Sequence, residues 1–236
     1  MCTWTPSLHI KKINRRAIIA GFAALPLLGC DARTAKVKRE ASPKPNEPDI
    51  RAGLIELANL APTIRLDIRY ATTDNFTGRQ LYGQPRAFLA AAAAQALLNA
   101  HRAAQLQGFG LTIYDAYRPW RVTKALWDAT PPGPQRNYVA NPKRGSKHNR
   151  GCAVDLTLHR LADGGEVIMP SDYDEFTLRA HRNFMDAPAD AIKHRDVLER
   201  VMEDAGFRGA SNEWWHFDFV GWEDYPVLDI PFEDLP

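Results

Sequence analysis

The chain is poor in cysteine: its 236 residues contain three, at positions 2, 30 and 152. No Cys-x-x-Cys pair exists among them, which excludes a thiolate zinc cage and a disulfide framework. His-Glu-x-x-His is absent as well, so a helix-borne pair of metal-binding histidines of that kind is excluded. No apolar run reaches the roughly 20 residues needed to cross a bilayer core. Charge of one sign is also scarce. The formal net charge is +2, and four of the basic residues (Lys11, Lys12, Arg15, Arg16) lie in the first 29 positions, which hold no Asp or Glu. Taking those four away, 2 − 4 leaves −2 for the rest. That near-neutral balance gives no support for a nucleic-acid partner. Internal repeats are absent. The length suits one domain with a sizeable core and short appendages.

The N-terminal stretch has its own organisation. Residues 11–16 are basic and 17–28 are apolar, in the order and at the length of a signal-peptide core. The run ends Leu27-Leu28-Gly29-Cys30, which resembles the lipobox of bacterial lipoproteins. That resemblance implies cleavage before Cys30 and lipidation of its thiol, with residues 1–29 as signal peptide. Residues 30–50 carry Lys, Arg, Glu and three prolines but few large apolar side chains. They read as a flexible tether, with the folded domain over 51–236. The expected location is the bacterial periplasm or cell surface, anchored to a membrane.

Within the domain the patterning is mixed. Leu54 to Leu66 reads as a short opening segment, and Asp67–Tyr70 alternates polar and apolar residues as a half-buried strand does. Residues 71–78 are turn-rich. An alanine-rich helix is expected over Pro85–Gln107, with Gly108 just past its end. A strand over 111–114 leads to Arg118-Pro119, where the proline suits the first turn of a helix over 120–128. Residues 131–144 form a long proline-containing loop. A strand over 153–158, a helix over 189–205 and a last strand over 212–220 complete the order. This succession implies α+β: a mostly antiparallel sheet with helices packed on one side and the site on the sheet.

Chemistry concentrates in two stretches. Ser146-Lys147-His148-Asn149-Arg150-Gly151-Cys152-Ala153-Val154-Asp155 holds a His and an Asp seven residues apart, and Glu213-Trp214-Trp215-His216 adds a second His behind a carboxylate. Imidazole and carboxylate are both good zinc ligands, and three of them leave a fourth position for water. Asp155 interrupts an apolar strand, so it needs a cation or strong donors; Arg150 could equally supply one. Gly151 suits a tight bend. On a regular strand residues three apart face opposite sides, so Glu213 and His216 share a site only if Glu213 precedes the strand or sits at a bulge. The two tryptophans read as packing. Arg118, at a strand-to-helix junction, can stabilise a developing oxyanion or pair with Asp115. Cys152 beside Asp155 is open to oxidation or to a stray metal.

Together these residues resemble the zinc D-Ala-D-Ala peptidases, and more closely the VanX-type D-alanyl-D-alanine dipeptidases. The matching pieces are Ser146-x-His148-x-x-Gly151-x-Ala153-x-Asp155, Glu213-Trp214-Trp215-His216, Tyr70-Ala71-Thr72-x-Asp74-Asn75-Phe76-Thr77-Gly78 and Asp115-x-Tyr117-Arg118-Pro119. They span residues 67–220 in family order. The resemblance implies one zinc ion per chain on His148, Asp155 and His216, Glu213 as general base and Arg118 polarising the carbonyl. It also implies Asp174 for the substrate's ammonium, and Ser146 and Tyr70 as pocket residues. The implied substrate is D-Ala-D-Ala. A D,D-carboxypeptidase acting on longer wall peptides, and a non-catalytic wall-binding lipoprotein, are the alternatives. The lipoprotein-like leader, absent from the cytoplasmic resistance enzymes of that type, points to cell-wall peptide turnover.

Overall fold

A computed structural model describes residues 53–236. The leader, the tether and Cys30 lie outside the described residues. In chain order the elements are β1 (Leu54–Glu56), α1 (Leu57–Leu60), β2 (Arg65–Leu66), β3 (Phe88–Ala90), α2 (Ala91–Gln105), β4 (Phe109–Asp115), α3 (Trp120–Ala129), β5 (Ala153–Arg160), α4 (Ala189–Asp204), β6 (Phe207–Gly209) and β7 (His216–Phe219). The central sheet runs β2-β4-β5-β7-β6. Its β2–β4 pair is parallel and the other three pairs are antiparallel. β1 and β3 form a separate antiparallel ribbon. The α+β expectation of a mostly antiparallel sheet holds.

β5 is the spine of the sheet. Val154, Leu156 and Leu158 face one way and are fully buried; Asp155, Thr157 and His159 face the other, by the two-residue alternation of a strand. Helix α2 buries Ala93, Ala94, Ala96, Leu97, Ala100 and Ala104, a stripe with helical period. Those small side chains let α2 lie close against α4 and β4. Leu198, Val201 and Met202 of α4 complete this apolar layer.

Three boundaries differ from the sequence reading. The helix expected from Pro85 begins at Ala91, because Phe88–Ala90 pair with β1 as a strand first. Propensity could not see that long-range partner. The strand expected over Asp67–Tyr70 lies two residues earlier, and Arg69–Ala71 is a 3₁₀ turn that buries Tyr70. The last strand, expected over 212–220, is confined to β7 because Ser211–Trp215 turn before it, and β6 is a further strand that the sequence reading did not anticipate.

Candidate active site

Sheet register builds the site. Asp155 of β5 pairs with Asp115 of β4 on one side and His216 of β7 on the other. Three strands therefore present one row of polar side chains. His148 joins the row from a 3₁₀ turn, His148–Arg150, just before β5. Gly151 ends that turn at φ +64°, and a β-carbon there would lie 2.9 Å from the backbone nitrogen of Ala90. Only glycine combines that backbone angle with that approach. The turn is pinned on several sides. The Gly151 carbonyl accepts from Ala90 N–H at 2.8 Å and the His148 carbonyl from Arg118 N–H at 3.1 Å. The buried Asn149 amide donates to the Arg118 carbonyl and the Thr123 hydroxyl, each at 2.8 Å. Ser146 Oγ accepts from His148 N–H at 3.2 Å.

Glu213 precedes β7, in the turn closed by His216 N–H on the Glu213 carbonyl at 3.4 Å. The three-residue spacing is thereby resolved: Glu213 Oε2 lies 3.9 Å from His216 Nδ1.

His148 Nε2, His216 Nδ1 and Asp155 Oδ1 form a triangle with sides of 3.2, 3.3 and 2.9 Å. A tetrahedral zinc with ligands at about 2.0–2.1 Å has edges of about 3.3 Å, so the donor set fits such an ion. The outward-facing atoms are also satisfied. His148 Nδ1–H donates to the Ala116 carbonyl at 2.6 Å, and His216 Nε2–H donates to Asp218 Oδ1 at 2.8 Å. Tyr173 O–H donates to Asp155 Oδ2 at 3.1 Å. Such bonds fix the tautomers that leave His148 Nε2 and His216 Nδ1 free to ligate.

The electrostatics are those of buried charges with chosen partners. Burial raises the Glu213 carboxyl; His216 opposes this and Asp155 adds to it, and the outcome is about 7. Burial lowers His216, but its bonds to Asp155 and Asp218 outweigh that and raise it to about 10. Asp155 is also buried, yet the two imidazoles hold it well below the usual carboxylate range. Arg118 is 7% exposed. Its Nε donates to Asp115 Oδ2 at 2.8 Å and its Nη2 lies 2.7 Å from the same oxygen, with Asp155 Oδ2 at 3.6 Å. Asp115 in turn accepts from Tyr82 O–H at 2.7 Å. The Arg118–Asp115 pair is thus a buried clamp rather than a surface contact.

Tyr70 lies under the Arg118 guanidinium, 5.3 Å from ring centroid to Cζ, and its O–H donates to Asp174 Oδ2 at 2.9 Å. Asp174 has φ +58°, a region that L side chains rarely occupy. Burial raises its carboxyl well above normal, and among the described residues it has no ion-pair partner. His148, Asp155, His216, Glu213, Arg118, Tyr70 and Asp174 line a cavity of about 420 Å³, together with Phe76, Ser146, Lys147 and Trp215. Trp214 is packing, as expected, with Nε1–H on Ser171 Oγ; Trp215 is buried and also lines the cavity.

Two expectations fail. Arg150 does not serve Asp155: it donates to the Tyr225 carbonyl and lies over Trp222. Cys152 is fully buried and its thiol is pushed up to about 12 by that burial, so it is inert rather than open to oxidation or metal. Sequence reasoning passed over Asp115 as a site residue, although it stands in the Asp-x-Tyr-Arg-Pro stretch. It also passed over Asp218, which the two-residue strand period from His216 would have found. Tyr173 carried no signal beyond lying next to Asp174.

The family model described as Peptidase_M15, D-ala-D-ala dipeptidase, matches residues 50–232. The chain is similar to the D-alanyl-D-alanine dipeptidase of Escherichia coli (strain K12), 41% identical over 76% of this chain and 91% of that protein. It is also similar to the D-alanyl-D-alanine dipeptidase of Enterococcus faecium, 35% identical over 76% of this chain and 98% of that one. A solved structure, the vancomycin-resistance D,D-dipeptidase VanXYg with a D-Ala-D-Ala phosphinate analogue, overlaps more loosely. Its TM-score is 0.37, at 20% identity over 71% of this chain and 66% of that one. The family match and the two sequence relatives settle the kinship: this chain belongs to the D-Ala-D-Ala dipeptidase family of M15 metallopeptidases.

Proposed function

We propose that this protein is a zinc-dependent dipeptidase that splits D-Ala-D-Ala into two D-Ala. The observation that carries the reading is the His148–Asp155–His216 triangle with a buried carboxyl, Glu213, 3.9 Å from one ligand and poised near pH 7. A zinc ion held by those three residues would supply Lewis acidity to a water and to the scissile carbonyl. Glu213 takes the proton from the attacking water and delivers it to the leaving amine; a carboxyl near 7 suits both transfers. Arg118 faces the negative charge that develops on the carbonyl oxygen, and Asp115 keeps it from rotating away. Asp174, lacking a cation of its own, takes the ammonium of the dipeptide, and Tyr70 orients it. Ser146 lends its hydroxyl proton to the substrate, since its oxygen already serves His148. A cavity of about 420 Å³ admits a small peptide.

The test is release of D-Ala from D-Ala-D-Ala by the zinc-loaded protein, after chelation, and in Glu213→Ala. Activity is expected to vanish with the metal, return with zinc and fall about 10²- to 10⁴-fold in kcat in the variant. Turnover confined to longer wall peptides would favour the D,D-carboxypeptidase. Stoichiometric zinc with no turnover of any peptide would favour a wall-binding receptor.

The same reading places the enzyme outside the cytoplasm, lipid-anchored through Cys30 and working in cell-wall peptide turnover. The order of basic, apolar and Leu-Leu-Gly-Cys residues supports it. Cys30→Ser is expected to abolish labelling by radioactive palmitate and to move the activity from the membrane fraction to the soluble one. Unchanged labelling would refute the anchor.

A further inference from the structure

A dipeptide is a zwitterion, and the proposed mechanism accounts for only one of its ends. Asp174 is tied through Tyr70 to the β2–β4 side of the polar row. The carboxylate must be met by another group that lines the cavity. Four cations line the cavity: Arg118, Arg144, Lys147 and Arg150. Arg118, held by Asp115, is already assigned to the carbonyl oxygen, and Arg150 is taken by the Tyr225 carbonyl and the Trp222 ring. Arg144 lies on a loop, and among the described residues no side-chain hydrogen bond or ion pair fixes its guanidinium relative to the metal ligands.

Lys147 differs from all three. It precedes His148 in the chain, and its Nζ lies 3.1 Å from Asp218 Oδ2. Asp218 Oδ1 in turn accepts from His216 Nε2–H at 2.8 Å. These two contacts tie the ammonium to His216 through Asp218, on the β7 side of the row. Trp222 supports it from below, with the ring centroid 5.2 Å from Nζ. The ammonium has three donors and Asp218 uses one. Its side chain is 38% exposed, against 8% for Arg118, so it can receive a partner from the cavity. The carboxylate carbon of a dipeptide lies one residue step from the scissile carbonyl carbon, at most about 3.6 Å. Lys147 and Asp174 line the same cavity as the triangle, so a zwitterionic substrate there has a cation and an anion within its walls.

We infer that Lys147, held by Asp218 beside the metal ligands, binds the free C-terminal carboxylate of the substrate and so restricts the enzyme to peptides that end there. This rests on the dipeptidase reading above. A lysine that only staples the loop to β7 would matter equally for every substrate. A carboxylate reader would not.

The experiment compares D-Ala-D-Ala with its C-terminal amide, in the zinc-loaded full chain and in Lys147→Gln, Lys147→Arg and Asp218→Asn. The parent is expected to favour the acid. Lys147→Gln is expected to raise KM for the acid about tenfold, the scale of one charge-assisted hydrogen bond, with kcat and the amide reaction little changed. The acid-to-amide preference should then collapse, Lys147→Arg should restore part of it, and Asp218→Asn should weaken zinc retention while keeping a preference for the acid. Equal losses on acid and amide in Lys147→Gln, or no loss on either, would overturn the inference while leaving the dipeptidase reading intact. A parent that cleaves neither would overturn the dipeptidase reading, and this inference with it.

Discussion

Strand β5 has a buried histidine environment at each end, and the two are opposites. At the Asp155 end, His148 and His216 face carboxylates, and His216 is raised to about 10 despite its burial. At the Arg160 end, His159 is 2% exposed and has a hydroxyl for company, Thr112 Oγ1 at 3.0 Å from Nδ1. Burial lowers it, helped by Arg65 and His101. His101 of α2 repeats the pattern, with Thr63 Oγ1 at 2.8 Å and a pKa lowered by burial. Burial works against charge in every case; the partner decides whether it wins. One end of the strand is built to hold cations and the other to keep imidazole neutral. Residue type alone does not mark a functional histidine, whereas an acidic neighbour in register does.

The comparison can be broken most forcefully by taking a carboxylate from the charged end. Asp115→Asn keeps the shape but leaves Arg118 buried with Asp155 as its nearest anion, at 3.6 Å. Breaking one side of a buried pair costs about 3–5 kcal/mol, so urea unfolding should show a loss of that size, with a fall in activity as Arg118 loses its hold. A loss below about 1 kcal/mol, the scale of a surface pair, would mean that Asp155 had taken over the clamp. The two ends would then differ less than their geometry implies.

The neutral end is broken by crowding rather than by charge. Gly110 pairs with His159 across β4 and β5, and a β-carbon on it would sit 2.3 Å from His159 Nε2. Gly110→Ala should cost about 1–3 kcal/mol as an overpacked site. The double variant with His159→Ser should recover most of that, since residues in contact couple by about 0.5–3 kcal/mol. Additive losses would show that backbone strain, not the ring, makes glycine necessary there.

The charged end was far more legible in the sequence than the neutral one. Asp155 stands out because a carboxylate in an apolar strand demands a partner, and the offset of Glu213 from His216 required a turn that is indeed there. The fold class followed from the order of patterned segments. The β1–β3 ribbon did not, because Phe88–Ala90 become a strand only through partners more than 30 residues away, and local propensity favoured extending the alanine helix over them. The Asp115–Arg118 clamp was ambiguous for a different reason. The same three-residue spacing describes a surface pair and a buried one, and only packing by Tyr70 and Tyr82 decides between them.

The finest distinction between the ends is the dependence of stability on pH. The folded-state pKa of His159 lies below its unfolded value of 6.5. As pH falls past 6.5 the unfolded chain takes up the proton first, so stability drops as pH decreases and is fully present above 6.5. His159→Asn, which retains a polar group for Thr112, removes this contribution. Its urea midpoint should decline less steeply than the parent's between pH 7 and 5, while His101 and every other group keep their share in both proteins. The effect is the smallest of the three because it changes a slope and leaves neutral stability nearly untouched. A parallel decline in the two proteins would show that His159 protonates as readily folded as unfolded, and the neutral end of β5 would lose its distinction.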